Sequence, residues 1–250
     1  MNLELLPISI LKEQLNLIKN KNFVFHSDLT ILGRDLQSLK GRLIEYIFQE
    51  LNACNLAIPA FNLKTNTKND IDMEAVDLSM GSLPLEGVRA CNQNKGYRTP
   101  NPIHSYCFFP KTSNIKLISN SKSFGDDSVF DFFIKNDYTW INFGASIDTG
   151  FTIFHHLESI ANVPYRKKIE FNRNLLSAGK IKKVCFEYFA RKNNNFSQNF
   201  YPAVKYLIKV KTLNEIKING KSIYFGSSKK ISEVILNKLI KDPFFLIINK

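Results

Sequence analysis

The chain is poor in the residues that most often announce chemistry. Its 250 residues contain four histidines, four cysteines and one tryptophan. Cys54, Cys91, Cys107 and Cys185 are scattered with no C-x-x-C pair, which excludes a zinc ribbon or a disulfide framework and fits a reducing, cytoplasmic compartment. The histidines show no metal-type spacing, so no metal is expected. No window approaches the roughly 18 to 20 uninterrupted apolar residues of a membrane span. The opening MNLELLPISILKEQLNLIKN sets Glu4, Lys12 and Glu13 inside its apolar pattern and lacks a small-residue cleavage site, which predicts an amphipathic helix. Recognisable nucleic-acid motifs, repeats and linkers are missing too, so one domain over 1–250 is expected.

Acidic residues are short where basic ones are plentiful. Residues 165–250 hold 19 Lys and Arg against 5 Asp and Glu, whereas 1–164 hold 15 against 17. The +12 net charge therefore belongs to the last third. A polyanionic partner such as a nucleotide or coenzyme A would suit it, and so would a solvated lysine-rich surface. A binding module docking nucleic acid or an acidic surface through this third is the reading from another functional class. It predicts salt-sensitive binding that survives loss of any one histidine.

What is present is an alternation of strand and helix signals. NFVFHSD (22–28) predicts a buried strand and 35–53 a helix, with Leu39, Leu43, Ile47 and Leu51 four apart. LAIPAFN (56–62) is a strand running into a long polar loop, and 82–89 starts a helix. Strands are predicted over 103–110, 115–120 and 139–146, and a helix from about Phe151. From 165 the pattern becomes more β-rich: KKIEF, KKVCFEYFAR, a hairpin turning at Asn219-Gly220, then a last helix. The expectation is an α/β fold, a mixed central sheet flanked by helices, with ligands at the carboxyl ends of the strands.

Half of the histidines lie in GFTIFHHLE (150–158). On a helix starting near Phe151, Thr152, His155 and Glu158 fall at i, i+3 and i+6, and His156 points about 100° away. A carboxylate one turn from an imidazole can orient it and favour the protonated form after proton uptake, which suits a general base. A surface His-Glu pair is the bland reading of the same spacing. His26 and His104 also sit at ends of predicted strands, where such groups converge.

The blocks FVFHSDLTILGR, IPAFN, SMGSLPLEGVRA, RTPNPIHSY, SFGDDSVF, FTIFHHLE and VPYRKKIEF, over about 22–171, resemble in order those of the aminoglycoside 3-N-acetyltransferase-like, or antibiotic N-acetyltransferase, family. The ending INGKSIYFGSSKKISEVILNKL is similar more loosely. The resemblance implies an acetyl-CoA-dependent transferase acylating a sugar amine on a fold distinct from the GNAT acetyltransferases, whose Gly-rich signature is not found. It carries over His26, Ser27, Asp28, Leu29 and Thr30 as coenzyme contacts. Asp28 departs from the serine usual in drug-modifying members, and its charge would repel phosphates unless it held a backbone or an amine. RTPNPIHSY departs from R-S-x-H-P-x-x-S-F: Arg98, Pro102 and Ser105 match, Asn101 replaces the histidine, and His104 is extra. The variant looks more like the branch found among surface-polysaccharide synthesis enzymes, so an aminosugar, nucleotide-linked or not, is the expected substrate. Aminoglycoside acetylation is the alternative.

A sugar amine must lose a proton before attacking a thioester. On this reading His155 takes that proton, Glu158 orients it and Glu86 positions the cationic amine. Ser105 or neighbouring N–H groups hold the oxyanion and contact the cofactor, while Arg98, Asn101, His104 and Thr152 contact the substrate. Neither a nucleic acid nor a membrane span is expected as partner; a homodimer is left open.

Overall fold

The computed structural model describes residues 6–39, 41–62, 70–75, 77–110, 121–177, 179–193 and 195–249. The strand expected over 115–120 and much of the polar loop after residue 62 lie outside them. The architecture is a mixed α/β sheet between helical layers.

Three parallel strands form its centre: β1 (Asn22–Ser27) lies between β2 (Asn55–Pro59) and β6 (Thr139–Phe143). These are short, almost wholly buried runs, as expected of strands covered on both faces. Beyond β2 come β4 (Tyr97–Arg98) and β5 (Tyr106–Phe109), with β5 antiparallel to both neighbours. Beyond β6 comes the hairpin of β10 (Asn214–Ile218) and β11 (Lys221–Ser227). It turns at Asn219 and Gly220, both at positive φ (51° and 72°), the backbone that a two-residue hairpin turn requires. The strand order is therefore β10-β11-β6-β1-β2-β5-β4.

Alternation along β1 divides the core. Phe23 and Phe25 pack with α1 (Leu6–Leu15), α2 (Leu43–Glu50) and α3 (Ser82–Asn92) on one face. Val24 points to the other face, which is covered by α4 (Val129–Lys135), α6 (Ile153–Ile160) and α8 (Ser228–Lys241). The helix expected over 35–53 is broken: Leu29–Leu39 is 3₁₀, Gly41 has φ 80°, and α2 follows. A second, three-stranded sheet stands apart. In it β3 (Asp70–Asp72) pairs with β7 (Arg166–Ser177), which pairs with β8 (Lys180–Arg191) as a long hairpin. The short β9 (Phe196–Gln198) and β12 (Ile247–Asn249) form a third. Between these elements lie α5 (Ile147–Gly150) and α7 (Tyr201–Lys209).

Candidate active site

The carboxyl ends of β1, β2 and β6 and the start of β5 share one edge of the main sheet, because β5 enters where β2 leaves: Pro59 pairs with Tyr106. His26, Ser27, Ser105 and Tyr106 are therefore neighbours. The α6 helix descends onto this edge. Gly150 permits that approach, since a Cβ there would lie 2.1 Å from Asn142 Nδ2, and its carbonyl accepts a 2.8 Å bond from Trp140 Nε1. The glycine opening GFTIFHHLE is thus a packing requirement of the helix that carries the histidines.

On α6 the two adjacent histidines separate as the helical repeat demands. His156 is buried, and its Nδ1 accepts from the Gly125 N–H at 3.2 Å. Burial pushes its pKa down to about 4, so it is a neutral structural acceptor. His155 is different. Its Nδ1 lies 2.7 Å from Glu158 Oε2. Arg166 Nη2, which can only donate, also lies 3.0 Å from Nδ1. The carboxylate is the closer neighbour and would repel a lone pair at 2.7 Å, so the hydrogen is assigned to Nδ1, toward Glu158, which leaves Nε2 as the atom available for proton exchange. Nε2 has no hydrogen-bond partner among the described residues, and the side chain is 16% exposed.

Glu158 is completely buried and held by more than the histidine. Tyr165 OH donates to its Oε1 at 2.7 Å, and Arg166 Nε lies 2.8 Å from its Oε2. Burial acts to raise its pKa, but His155, Arg166 and Tyr165 outweigh it and hold the carboxyl below its ordinary value. Arg166 is buried as well, and Nη1 donates to the Phe189 carbonyl at 3.0 Å. Tyr165 and Arg166 belong to VPYRKKIEF, but the sequence alone gave them no partner, because only the fold returns the start of β7 to α6.

The residues expected to contact the cofactor, His26–Thr30, line a cavity of about 580 Å³ together with Ile58, Pro59, Ser79–Pro84, Ala145, Ser146 and Thr149. His26 stacks on Trp140 at 4.8 Å, and Tyr106 OH lies 2.9 Å from its Nε2. Burial drives its pKa down to about 3, which leaves it uncharged. Tyr106 OH also reaches Thr152 Oγ1, at 3.4 Å, at the start of α6. Asp28 holds a backbone, as one of its two expected roles required. It accepts from Thr30 N at 3.0 Å and Thr30 Oγ1 at 2.7 Å, and is bonded to Lys221. Its charge thus caps a turn and is balanced across the sheet.

Three expectations need correcting. Glu86 does not meet His155: α3 packs on the opposite face of the sheet from α6. Its Oε1 accepts from Ile44 N at 3.0 Å, and Leu43 and Gly41 donate to it as well. It caps α2, whose own N-cap Arg42 offers no side-chain bond. Beside it a larger cavity of about 850 Å³ opens between α2 and α3, and none of its lining residues is a histidine. Ser105 offers no free donor for an oxyanion, because its hydroxyl donates to the Ala60 carbonyl and accepts from Arg98 Nε at 3.1 Å. Arg98, expected at the substrate, donates to the carbonyls of Met73, of Ala75 at 2.7 Å and of Ala60 at 2.9 Å, pinning the backbone before α3.

Asn101 Oδ1 accepts from the N–H groups of Ile103 at 3.0 Å and His104 at 3.4 Å, shaping the turn into β5. Its Nδ2 and the Nδ1 of His104 are buried without partners among the described residues. The His104 ring packs against Phe124 at 4.6 Å, and Phe124 against His155 at 6.1 Å. His104 thus lies one aromatic ring from the candidate base. Its pKa falls to about 3, through burial first and then His155, Arg166 and His26.

No family model matches the chain, and no curated protein does. Solved structures do. A histidine-to-alanine variant of the aminoglycoside acetyltransferase AAC(3)-IVa, in complex with gentamicin, superposes with TM-score 0.71 at 18% identity, over 98% of this chain and 92% of that one. AAC-IIIb, in a binary complex with CoASH, gives 0.70 at 13%, over 94% and 95%. YokD from Bacillus subtilis gives 0.68 at 14%, over 94% and 98%. The chain has the aminoglycoside 3-N-acetyltransferase fold. The fold class expected from the sequence, a mixed sheet flanked by helices and distinct from GNAT, is therefore the one observed. Among the described residues no helix is long and apolar enough to cross a membrane, and no group of side chains is arranged to hold a metal.

Proposed function

We propose that the protein is an acetyl-CoA-dependent N-acetyltransferase that acylates an amine of an aminosugar by direct transfer. The observation that carries this reading is the His155–Glu158 pair, its Nδ1 held on a buried carboxylate and its Nε2 without a partner among the described residues. The cavity of residues 26–30 lies at the carboxyl ends of the strands that α6 follows, although His155 is not among its lining residues. The 3-N-acetyltransferase fold supports it, through neighbours solved with CoASH and with gentamicin.

The residues present fit coenzyme A. Gly81, the N-cap of α3, provides no side-chain cap, and Ser79–Pro84 line the cavity, so the uncapped start of an 11-residue helix forms part of its wall. Such an end suits a pyrophosphate. Lys221 offsets the charge of Asp28 beside it. The bound cofactor supplies the thioester carbonyl. Transfer needs no covalent enzyme intermediate: His155 Nε2 would remove a proton from the acceptor amine as its nitrogen bonds to the acetyl carbon, Glu158 would steady the imidazolium, and His155 would return the proton to the sulfur released when the thioester C–S bond breaks. A positioned base contributes about 10²- to 10⁴-fold.

Aminoglycosides are the acceptors favoured by the structural neighbours, two of which were solved with gentamicin and apramycin. Nothing in these likenesses supports the surface-polysaccharide branch. The test of the reading is release of free thiol from acetyl-CoA in the presence of amine acceptors. His155→Ala is expected to lower kcat by about 10²-fold or more in a folded protein. Undiminished turnover would remove His155 from its role, and no thiol release across a broad acceptor panel would refute the activity.

A further inference from the structure

We infer that His26 is the donor for the thioester oxygen, its Nδ1–H stabilising the charge that gathers there as the acceptor nitrogen bonds to the acetyl carbon. The inference rests on the N-acetyltransferase reading and gives it a group that Ser105 does not supply, because that hydroxyl donates to the Ala60 carbonyl. His26 follows Val24 by two residues on β1, which puts its ring on the face of the sheet that α6 covers. It also lines the cavity of residues 26–30.

The ring is held by its neighbours. It stacks on Trp140 at 4.8 Å, and Phe61 and Tyr106 meet it edge-on at 6.0 and 5.8 Å. Packing alone would be served by phenylalanine, but Nε2 lies 2.9 Å from Tyr106 OH, which stands 3.4 Å from Thr152 Oγ1. A phenol has one hydrogen. It goes to the shorter contact and the stronger acceptor, the imidazole nitrogen, and Thr152 donates to the phenol oxygen. Burial raises the Tyr106 pKa well above its ordinary value, so that hydrogen stays in place. The hydrogen of the neutral imidazole is therefore on Nδ1. This atom has no partner among the described residues, and unlike His104 Nδ1 it is not sealed from solvent. Asp28, two residues on, does not take it, since its carboxylate is engaged by Thr30 and Lys221. The open space beside the ring is the cavity it lines. A buried imidazole that stays neutral near pH 7 keeps its hydrogen throughout the reaction, as a donor to a developing oxyanion must. Tyr106 also ties this donor to the base: Thr152 precedes His155 by one helical turn, and its carbonyl accepts from the His155 N–H at 3.1 Å.

Three variants of the full chain separate a donor from a packing ring. His26→Phe keeps a ring and removes the hydrogen; it should lower kcat by about 10²- to 10³-fold with KM for acetyl-CoA close to wild type. His26→Asn, whose amide nitrogen stands near the place of Nδ1, should recover part of that loss. Tyr106→Phe keeps the aromatic contacts and releases the tautomer, so it should lower kcat by less, and it tests the same donor if His26→Phe does not fold. Two readouts are independent of turnover. Nitrogen chemical shifts of isotope-labelled histidine in the unliganded protein should show His26 as the Nδ1–H tautomer. The infrared carbonyl stretch of isotope-labelled acetyl-CoA, bound without acceptor, should lie at lower wavenumber in the wild type than in either phenylalanine variant. An Nε2–H tautomer, an unmoved carbonyl stretch, or a loss confined to KM overturns the inference while leaving the acetyltransferase reading standing. Wild-type protein that neither binds acetyl-CoA nor releases thiol refutes that reading, and this inference with it.

Discussion

Replacing Glu158 by glutamine isolates the charge on which the proposed chemistry turns. Of the three groups at this carboxylate, His155 Nδ1 and Tyr165 OH present hydrogens to it, and Arg166 Nε adds its charge at 2.8 Å without a hydrogen bond. An amide offers one accepting oxygen. With that oxygen toward His155 and Arg166, its NH₂ meets Tyr165, whose hydroxyl turns to accept. The contacts therefore survive, and the charge does not. Arg166, 6% exposed, is then left without its counter-ion, and an uncompensated buried charge costs about 3–5 kcal/mol of stability. The imidazolium formed at His155 loses a carboxylate 2.7 Å away, which lowers kcat by about 10²- to 10⁴-fold, or roughly 3–5 kcal/mol of barrier. KM for acetyl-CoA should stay close to wild type, since Glu158 does not line the cavity of residues 26–30. Initial rates of thiol release and urea unfolding measure the two effects separately. A folded Glu158→Gln protein with undiminished kcat would refute the dyad, and one as stable as wild type would refute the buried-charge argument.

Acid should destabilise the fold early. His26 and His104 are held at about 3 and His156 at about 4, so below pH 6.5 the unfolded chain takes up protons that the folded chain refuses. Stability is complete above that pH and falls by about 1.4 kcal/mol per histidine, ~4 kcal/mol together, by pH 5.5. Glu158, held low, adds a further loss as pH drops through the carboxylate range. Equal urea midpoints at pH 7.5 and 5.5 would contradict this. Lys221→Gln should unmask the Asp28 charge beside the cavity and raise KM for acetyl-CoA about fivefold, within the ~1 kcal/mol expected of a part-exposed pair. The double variant with Asp28→Asn should recover most of that; a double variant as poor as the single one would show that the charge of Asp28 is not the cause.

The sequence made legible those features whose cause is local. The short apolar strands, the Asn219-Gly220 turn and the i, i+3 relation of His155 to Glu158 each follow from neighbouring residues, and each is present. What it hid depends on which face of the sheet a helix covers. Glu86 reads as well as Glu158 for an acid near the chemistry, yet α3 and α6 pack on opposite faces, and parity along β1 decides which face is which. Arg98 and Ser105 look like site donors until the fold brings the carbonyls of Ala60, Met73 and Ala75 within their reach. Conversely, Tyr165 and Arg166 carry no signal of their own, because their partner is reached only when β7 starts beside α6. A buried carboxylate needs donors from more than one element to stay ionised. A His-x-x-Glu helix turn therefore gains its chemical meaning when a tyrosine and an arginine are delivered to the same oxygens from outside the helix.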